Sequence, residues 1–146
     1  MTHLTNWDER FIRLVEHEIK LWSKDPKKQV GALLVSPDYR QWSGGYNGLP
    51  RGIESSDISM NRKNDYFVHA EANAILNSAV DLTGWALYVT TPPCLSCATL
   101  VIQKRIAKVV QPHIDSSSSW YGSQLEAQRL FQLTKTEVIT YDTENY

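Results

Sequence analysis

Two short blocks constrain this chain more than anything else in it: His69-Ala70-Glu71, and Pro93-Cys94-Leu95-Ser96-Cys97 further on. One imidazole and two thiols suit a zinc ion. Three protein ligands leave the fourth tetrahedral position open, which marks a catalytic centre rather than a closed structural one. Glu71 stands two residues from His69, close enough to reach a water in that position.

Local structure suits the spacing. Ala70-Glu71-Ala72-Asn73-Ala74-Ile75-Leu76 is rich in helix formers, so His69 and Glu71 belong to the first turn of a helix. Pro92-Pro93 ahead of Cys94 marks a second helix start. Cys94 and Cys97, three apart, then share a face, and the positive end of that helix favours thiolate over thiol. Taken alone, a C-x-x-C pair also suits a redox couple or two inert buried cysteines. The upstream H-x-E and the two prolines favour the metal. His3, His17 and His113 read as surface residues.

The chemistry explains why these residues occur together. Replacing an exocyclic amine on a cytosine-like ring needs a nucleophile at the amine-bearing carbon. Zinc lowers the pKa of bound water from roughly 15.7 to about 7 and so makes hydroxide available. Two thiolates and a neutral imidazole cancel the charge of Zn²⁺. Glu71 can move the protons, a role that typically contributes about 10²–10⁴-fold in rate. H-x-E followed by P-C-x-x-C is the signature of zinc-dependent base deaminases.

Composition narrows the classes further. A length of 146 residues and 42% hydrophobic content suit one globular domain over residues 1–146, with a substantial core. A formal net charge of −1 provides no global pull toward nucleic acid, which disfavours a polynucleotide substrate. Both cysteines belong to the site, which leaves none for a disulfide and points to a reducing compartment. The first ten residues lack a basic stretch followed by an apolar run, so no signal peptide is expected. No apolar segment approaches membrane-spanning length. The expected location is the cytoplasm, or the host cytoplasm for a viral protein.

Along the chain, Trp7, Phe11, Leu14, Val15, Ile19 and Trp22 form an apolar stripe at helical spacing, with Thr5 or Asn6 as cap. Residues 23–28 break that helix. Val30–Val35 and Gln41–Tyr46, joined by the turn residues Ser36-Pro37-Asp38, predict an antiparallel hairpin. The glycines of its second strand permit a bulge or a close approach. Residues 53–66 read as polar and irregular. A site helix is expected over about 70–80, then strands at 86–90 and 106–110 around a helix at 95–104. Ser116–Ser119 reads as a mobile loop. A last helix over 123–133, with Leu125, Leu130 and Leu133 apolar, precedes a strand at 137–141. The second half alternates strand and helix, which implies parallel pairing. The expected fold is α/β: a central five-stranded mixed sheet with helices on both faces.

Four blocks together resemble the deoxycytidylate (dCMP) deaminases of the cytidine deaminase superfamily, whose phage-encoded members are similar in size. They are Ser23-Lys24-Asp25-Pro26 through Gln29-Val30-Gly31-Ala32, Gly45-Tyr46-Asn47-Gly48-Leu49-Pro50, His69 through Ile75, and Pro93 through Cys97. The Tyr-Asn-Gly-x-Pro block and Asn73 point to dCMP deaminases in particular. The resemblance implies a three-layer α-β-α cytidine-deaminase-like fold and zinc-dependent deamination of dCMP to dUMP, which feeds thymidylate synthesis. It implies zinc ligands at His69, Cys94 and Cys97, and Glu71 as proton shuttle. It also implies substrate contacts at Ala70 and at Asn47, the latter near the sugar. The residues alone favour Asn47 as a turn residue with left-handed geometry.

The resemblance assigns no phosphate site. Arg51 is one candidate, because its fork suits phosphate oxygens, although it also reads as a solvated loop arginine. Tyr121 is another, standing where the family carries a tyrosine after the fourth strand. Trp120 suits a stacked base, a packed core or an interface. Many dCMP deaminases respond to dCTP and dTTP at a Gly-Cys-Ser-Asp stretch, where this chain reads Gly52-Ile53-Glu54-Ser55-Ser56-Asp57. Glu54 there opposes a triphosphate unless Mg²⁺ intervenes. The family usually forms hexamers, and five tryptophans and seven tyrosines are compatible with such interfaces. The alternatives are a tRNA adenosine, guanine or riboflavin-pathway deaminase, or a zinc-stabilised binding module without catalysis.

Overall fold

The computed structural model describes residues 3–146. Helix α1 (Asn6–His17) begins at a capping box: the Thr5 side chain accepts from the Asp8 N–H, and Asp8 accepts from the Thr5 N–H. Phe11, Ile12 and Val15 form its buried face, and a 3₁₀ turn (Ile19–Trp22) carries Ile19 into the same layer. The ends of the expected stripe stay outside. Trp7 is 43% exposed and stacks on Tyr39, and Trp22 is 64% exposed.

Strands β1 (Gly31–Val35) and β2 (Trp42–Tyr46) form the predicted antiparallel hairpin. The sheet continues through β3 (Ala86–Val89), β4 (Lys108–Pro112) and β5 (Glu137–Tyr141) in the order β2-β1-β3-β4-β5. β1 is antiparallel to β3, whereas β3, β4 and β5 run parallel. β1 is apolar throughout because both of its faces are covered. Its Leu33 and Val35 meet α1, Tyr88, Val110 and Ile139 on one side. Ala32 and Leu34 meet the opposite layer, built from α3 (Ala70–Leu76), α4 (Leu95–Gln103) and α5 (Tyr121–Leu133).

Several expected boundaries move. The site helix stops at Leu76 rather than near Val80. The Asn77 amide donates to the Gly44 carbonyl at 3.0 Å, and the Ser78 N–H turns back to the Ile75 carbonyl. β4 starts two residues later than expected: the Ile106 N–H turns back to the Val101 carbonyl and its side chain packs in the core. In α5 the buried residues are Gln124, Ala127 and Phe131, while Leu125 and Leu133 face outward. Residues 53–66 are not wholly irregular. They contain 3₁₀ turns at Ser55–Asp57 and Met60–Arg62, then the short helix α2 (Lys63–Tyr66).

The glycines of β2 serve close approach. A Cβ on Gly45 would lie 2.6 Å from the Ala70 carbonyl and against the Ala74 backbone. The site helix therefore rests directly on the strand backbone. Asn73 fastens it there by donating to the Tyr46 carbonyl at 2.7 Å.

Candidate active site

Two helix starts meet at the site. His69 caps α3 and Glu71 lies in its first turn; Cys94 caps α4 and Cys97 closes its first turn. Leu95 N–H donates to the Ser123 hydroxyl at 2.8 Å, which fixes the start of α4 against α5. His69 Nδ1 lies 3.2 Å from Cys97 Sγ and 3.5 Å from Cys94 Sγ. The three ligand atoms all lie within 4.8 Å of one another. Both cysteines are free thiols and buried. Two soft sulfurs and one imidazole at this separation suit a tetrahedral zinc ion with one position left for a water.

The electrostatics agree with that donor set. A hydrogen bond from the Cys97 thiol pulls Cys94 down to about 3 against the effect of burial, with help from His69 and Ser96. The same bond, with burial and Glu71, pushes Cys97 strongly up. His69 is raised, first by its bond to Cys94. The cluster thus carries negative charge and shares a proton that a cation can displace. Burial pushes Glu71 up to about 7, so its carboxyl can both take and give a proton near neutrality.

His69, Glu71 and Cys94 line the floor of a cavity of about 310 Å³. Ala70 lines it at the helix start, and the indole of Trp120 stands edge-on to the His69 ring at 5.8 Å. Ser118 and Ser119 also line it, so the serine-rich loop forms part of the wall. Asn47 lines it too, with only 9% exposure and no left-handed backbone. Its side chain is held by its own chain: Oδ1 accepts from Val30 N–H at 2.9 Å, and Nδ2 donates to the Lys28 carbonyl at 3.0 Å and toward Asp25 at 3.4 Å. Ser23 donates to the Asn47 carbonyl. The sequence blocks around Asp25 and Asn47 are one hydrogen-bonded unit.

Arg51 and Tyr121 are not brought to this cavity. Arg51 is exposed on a neighbouring cavity of about 570 Å³, shared with Gly52, Ile53 and Glu54. Its guanidinium reaches Asn77 at 3.5 Å. Tyr121 is half-buried at the start of α5, and its neighbour Trp120 takes the place on the cavity wall. Glu54 and Asp57 cap each other's backbone, and the only metal-ligating cluster of three among the described residues is His69, Cys94 and Cys97. Sequence reasoning missed the buried pair Asp25–Lys63, because 38 residues separate its members.

Comparison with known proteins agrees with this geometry. Residues 5–112 match the model of the cytidine and deoxycytidylate deaminase zinc-binding region. An uncharacterised deaminase of Aliivibrio fischeri is 37% identical over 139 residues, covering 92% of this chain and 93% of that protein. The deoxycytidylate deaminase of Mycobacterium phage D29 is 35% identical over 123 residues, covering 73% of this chain and 94% of the relative. The human deoxycytidylate deaminase is 38% identical over 97 residues, covering 60% of this chain, and only 54% of that longer protein is matched. In fold, the chain superposes on the dCMP deaminase of cyanophage S-TIM5, solved with dCMP and dUMP, with a TM-score of 0.75 at 22% identity, covering 95% of this chain and 100% of the other. No helix among the described residues is long and apolar enough to cross a membrane. The metal-ligand triad, the buried Glu71 beside it and a family match spanning most of the chain lead to one assignment: the chain belongs to the cytidine and deoxycytidylate deaminase family.

Proposed function

We propose that the chain hydrolyses dCMP to dUMP and ammonia. The observation that carries this reading is the buried Glu71 carboxyl beside the His69, Cys94 and Cys97 cluster, at the floor of a cavity large enough for one nucleotide. His69, Cys94 and Cys97 would hold Zn²⁺, which supplies a water of lowered pKa. Glu71 would take a proton from the attacking water and deliver it to the ring nitrogen, then take the proton of the newly formed hydroxyl on the attacked carbon and pass it to the departing amine, which leaves as ammonia. Burial serves this exchange because it brings the two protonation states of Glu71 close in energy. Ala70 and Trp120 line the cavity beside His69, where they would flank the ring, and the Asn47 unit fixes a wall that would lie beside the sugar.

Ammonia release from dCMP, deoxycytidine and dCTP tests the reading. Wild type should turn over dCMP in preference to the other two. Glu71→Gln should keep its zinc and fold yet lose at least about 10²-fold in rate. A binding module would lose nothing. A zinc-loaded, folded protein that releases ammonia from none of the three overturns the proposal. Effector control by dCTP or dTTP extends it, with the neighbouring cavity of Arg51, Lys24 and Glu54 as the place. A dCMP rate unmoved by either nucleotide, with or without Mg²⁺, removes that extension.

A further inference from the structure

We infer that Lys63, held in place by Asp25, is the residue that selects a phosphorylated substrate at this site; the inference rests on the dCMP reading above. Lys63 Nζ donates to both carboxylate oxygens of Asp25, at 2.7 and 2.6 Å. The Asp25 side chain is 3% exposed and that of Lys63 is 17% exposed. Both line the catalytic cavity. An ammonium has three donors, and Asp25 is its only hydrogen-bond partner among the described residues, so one N–H remains for a ligand.

The position matches the need. A pyrimidine whose reacting carbon lies over Glu71 and Cys94 must direct its sugar and 5′ group away from that floor. Besides Lys63, the cavity is lined by one other lysine, Lys28, which is solvent-exposed. The Ser118 and Ser119 hydroxyls stand on the same wall. Lys63 is fixed and half-desolvated, so a charged ligand that meets its free N–H costs little further side-chain entropy and is only weakly screened by water, while Asp25 offsets part of the charge. Arg51 lacks that setting: it is exposed and lies on the other cavity. Asp25 is the positioning residue. It also accepts from Lys27 N–H at 2.9 Å, which holds the carboxylate from its own loop.

A purely structural role for the pair, as a staple between residues 23–28 and α2, is the competing account. Binding of dCMP and of deoxycytidine, measured by calorimetry on zinc-loaded protein carrying Glu71→Gln, separates the two. Adding Lys63→Met should weaken dCMP by about 10- to 100-fold and leave deoxycytidine unchanged. Arg51→Ala should change neither. Lys63→Met leaves a buried carboxylate unpaired, so the double variant Asp25→Asn/Lys63→Met, which removes both charges, is measured alongside and should show the same selective loss. Equal weakening of both ligands, or an unchanged dCMP affinity, overturns the inference while leaving the deaminase reading intact. Failure of the Glu71→Gln protein to bind dCMP, together with no ammonia from wild type, instead overturns the reading on which it rests.

Discussion

At the scale of single residues, the site is a set of groups that would be unstable elsewhere. A buried carboxyl, two buried thiols and an imidazole within touching distance are costly unless something binds them. Replacing His69 or Cys97 by Ala should therefore abolish zinc content by atomic absorption. It should also lower Tm by about 5 °C or more, because a ligand that binds only the folded state stabilises that state. A chelator should do the same to wild type. His69, Cys94, Cys97 and Glu71 were legible in the sequence because ligand chemistry is fixed by residue type, and helix spacing fixes which neighbours face together. Lys63 was not. A lysine in a polar stretch looks solvated until the fold places a buried carboxylate against it.

At the scale of elements, close approach and facing decide what each segment tolerates. Gly45→Ala should cost about 2–3 kcal/mol in urea denaturation, since the added Cβ meets helix backbone that cannot rotate away. Gly48→Ala meets nothing within 4 Å and serves as the control. In α5, Phe131→Ala should cost about 3–5 kcal/mol, whereas Leu133→Ala, at a site 65% exposed, should stay within about 0.5 kcal/mol. That contrast marks a limit of pattern reading. Leu125, Leu130 and Leu133 have helical spacing, but the face that packs is Gln124, Ala127 and Phe131, because α4 and the sheet lie on that side. The hairpin of β1 and β2, and the strand β5, were legible because short apolar runs between turn residues have few alternative partners.

At the scale of the whole molecule, buried ion pairs tie distant parts of the chain together and make stability depend on pH. Burial raises the pKa of Asp8, but hydrogen bonds from Lys108, Thr5 and Tyr88 outweigh it and hold the carboxyl below its usual range. Asp25 behaves alike: burial raises it, and Lys63 with the Lys27 and Lys28 backbone lowers it further. A folded pKa below the unfolded one adds stability that is complete above about pH 4 and disappears as pH falls through the folded value. Thermal unfolding should thus show a Tm that declines below about pH 4, with a shallower decline in Asp8→Asn, which lacks one of the groups. The sequence by itself determined the His69, Cys94 and Cys97 cluster, the neighbouring Glu71, the fold class and most strands, since these follow from residue chemistry and from patterns a few residues long. Only the tertiary structure decided which strands neighbour one another, that Trp120 rather than Tyr121 faces the cavity, and that Lys63 meets Asp25. The reason is physical: such contacts join segments tens of residues apart, and the packing of the whole sheet and its helices, rather than any local preference, selects them.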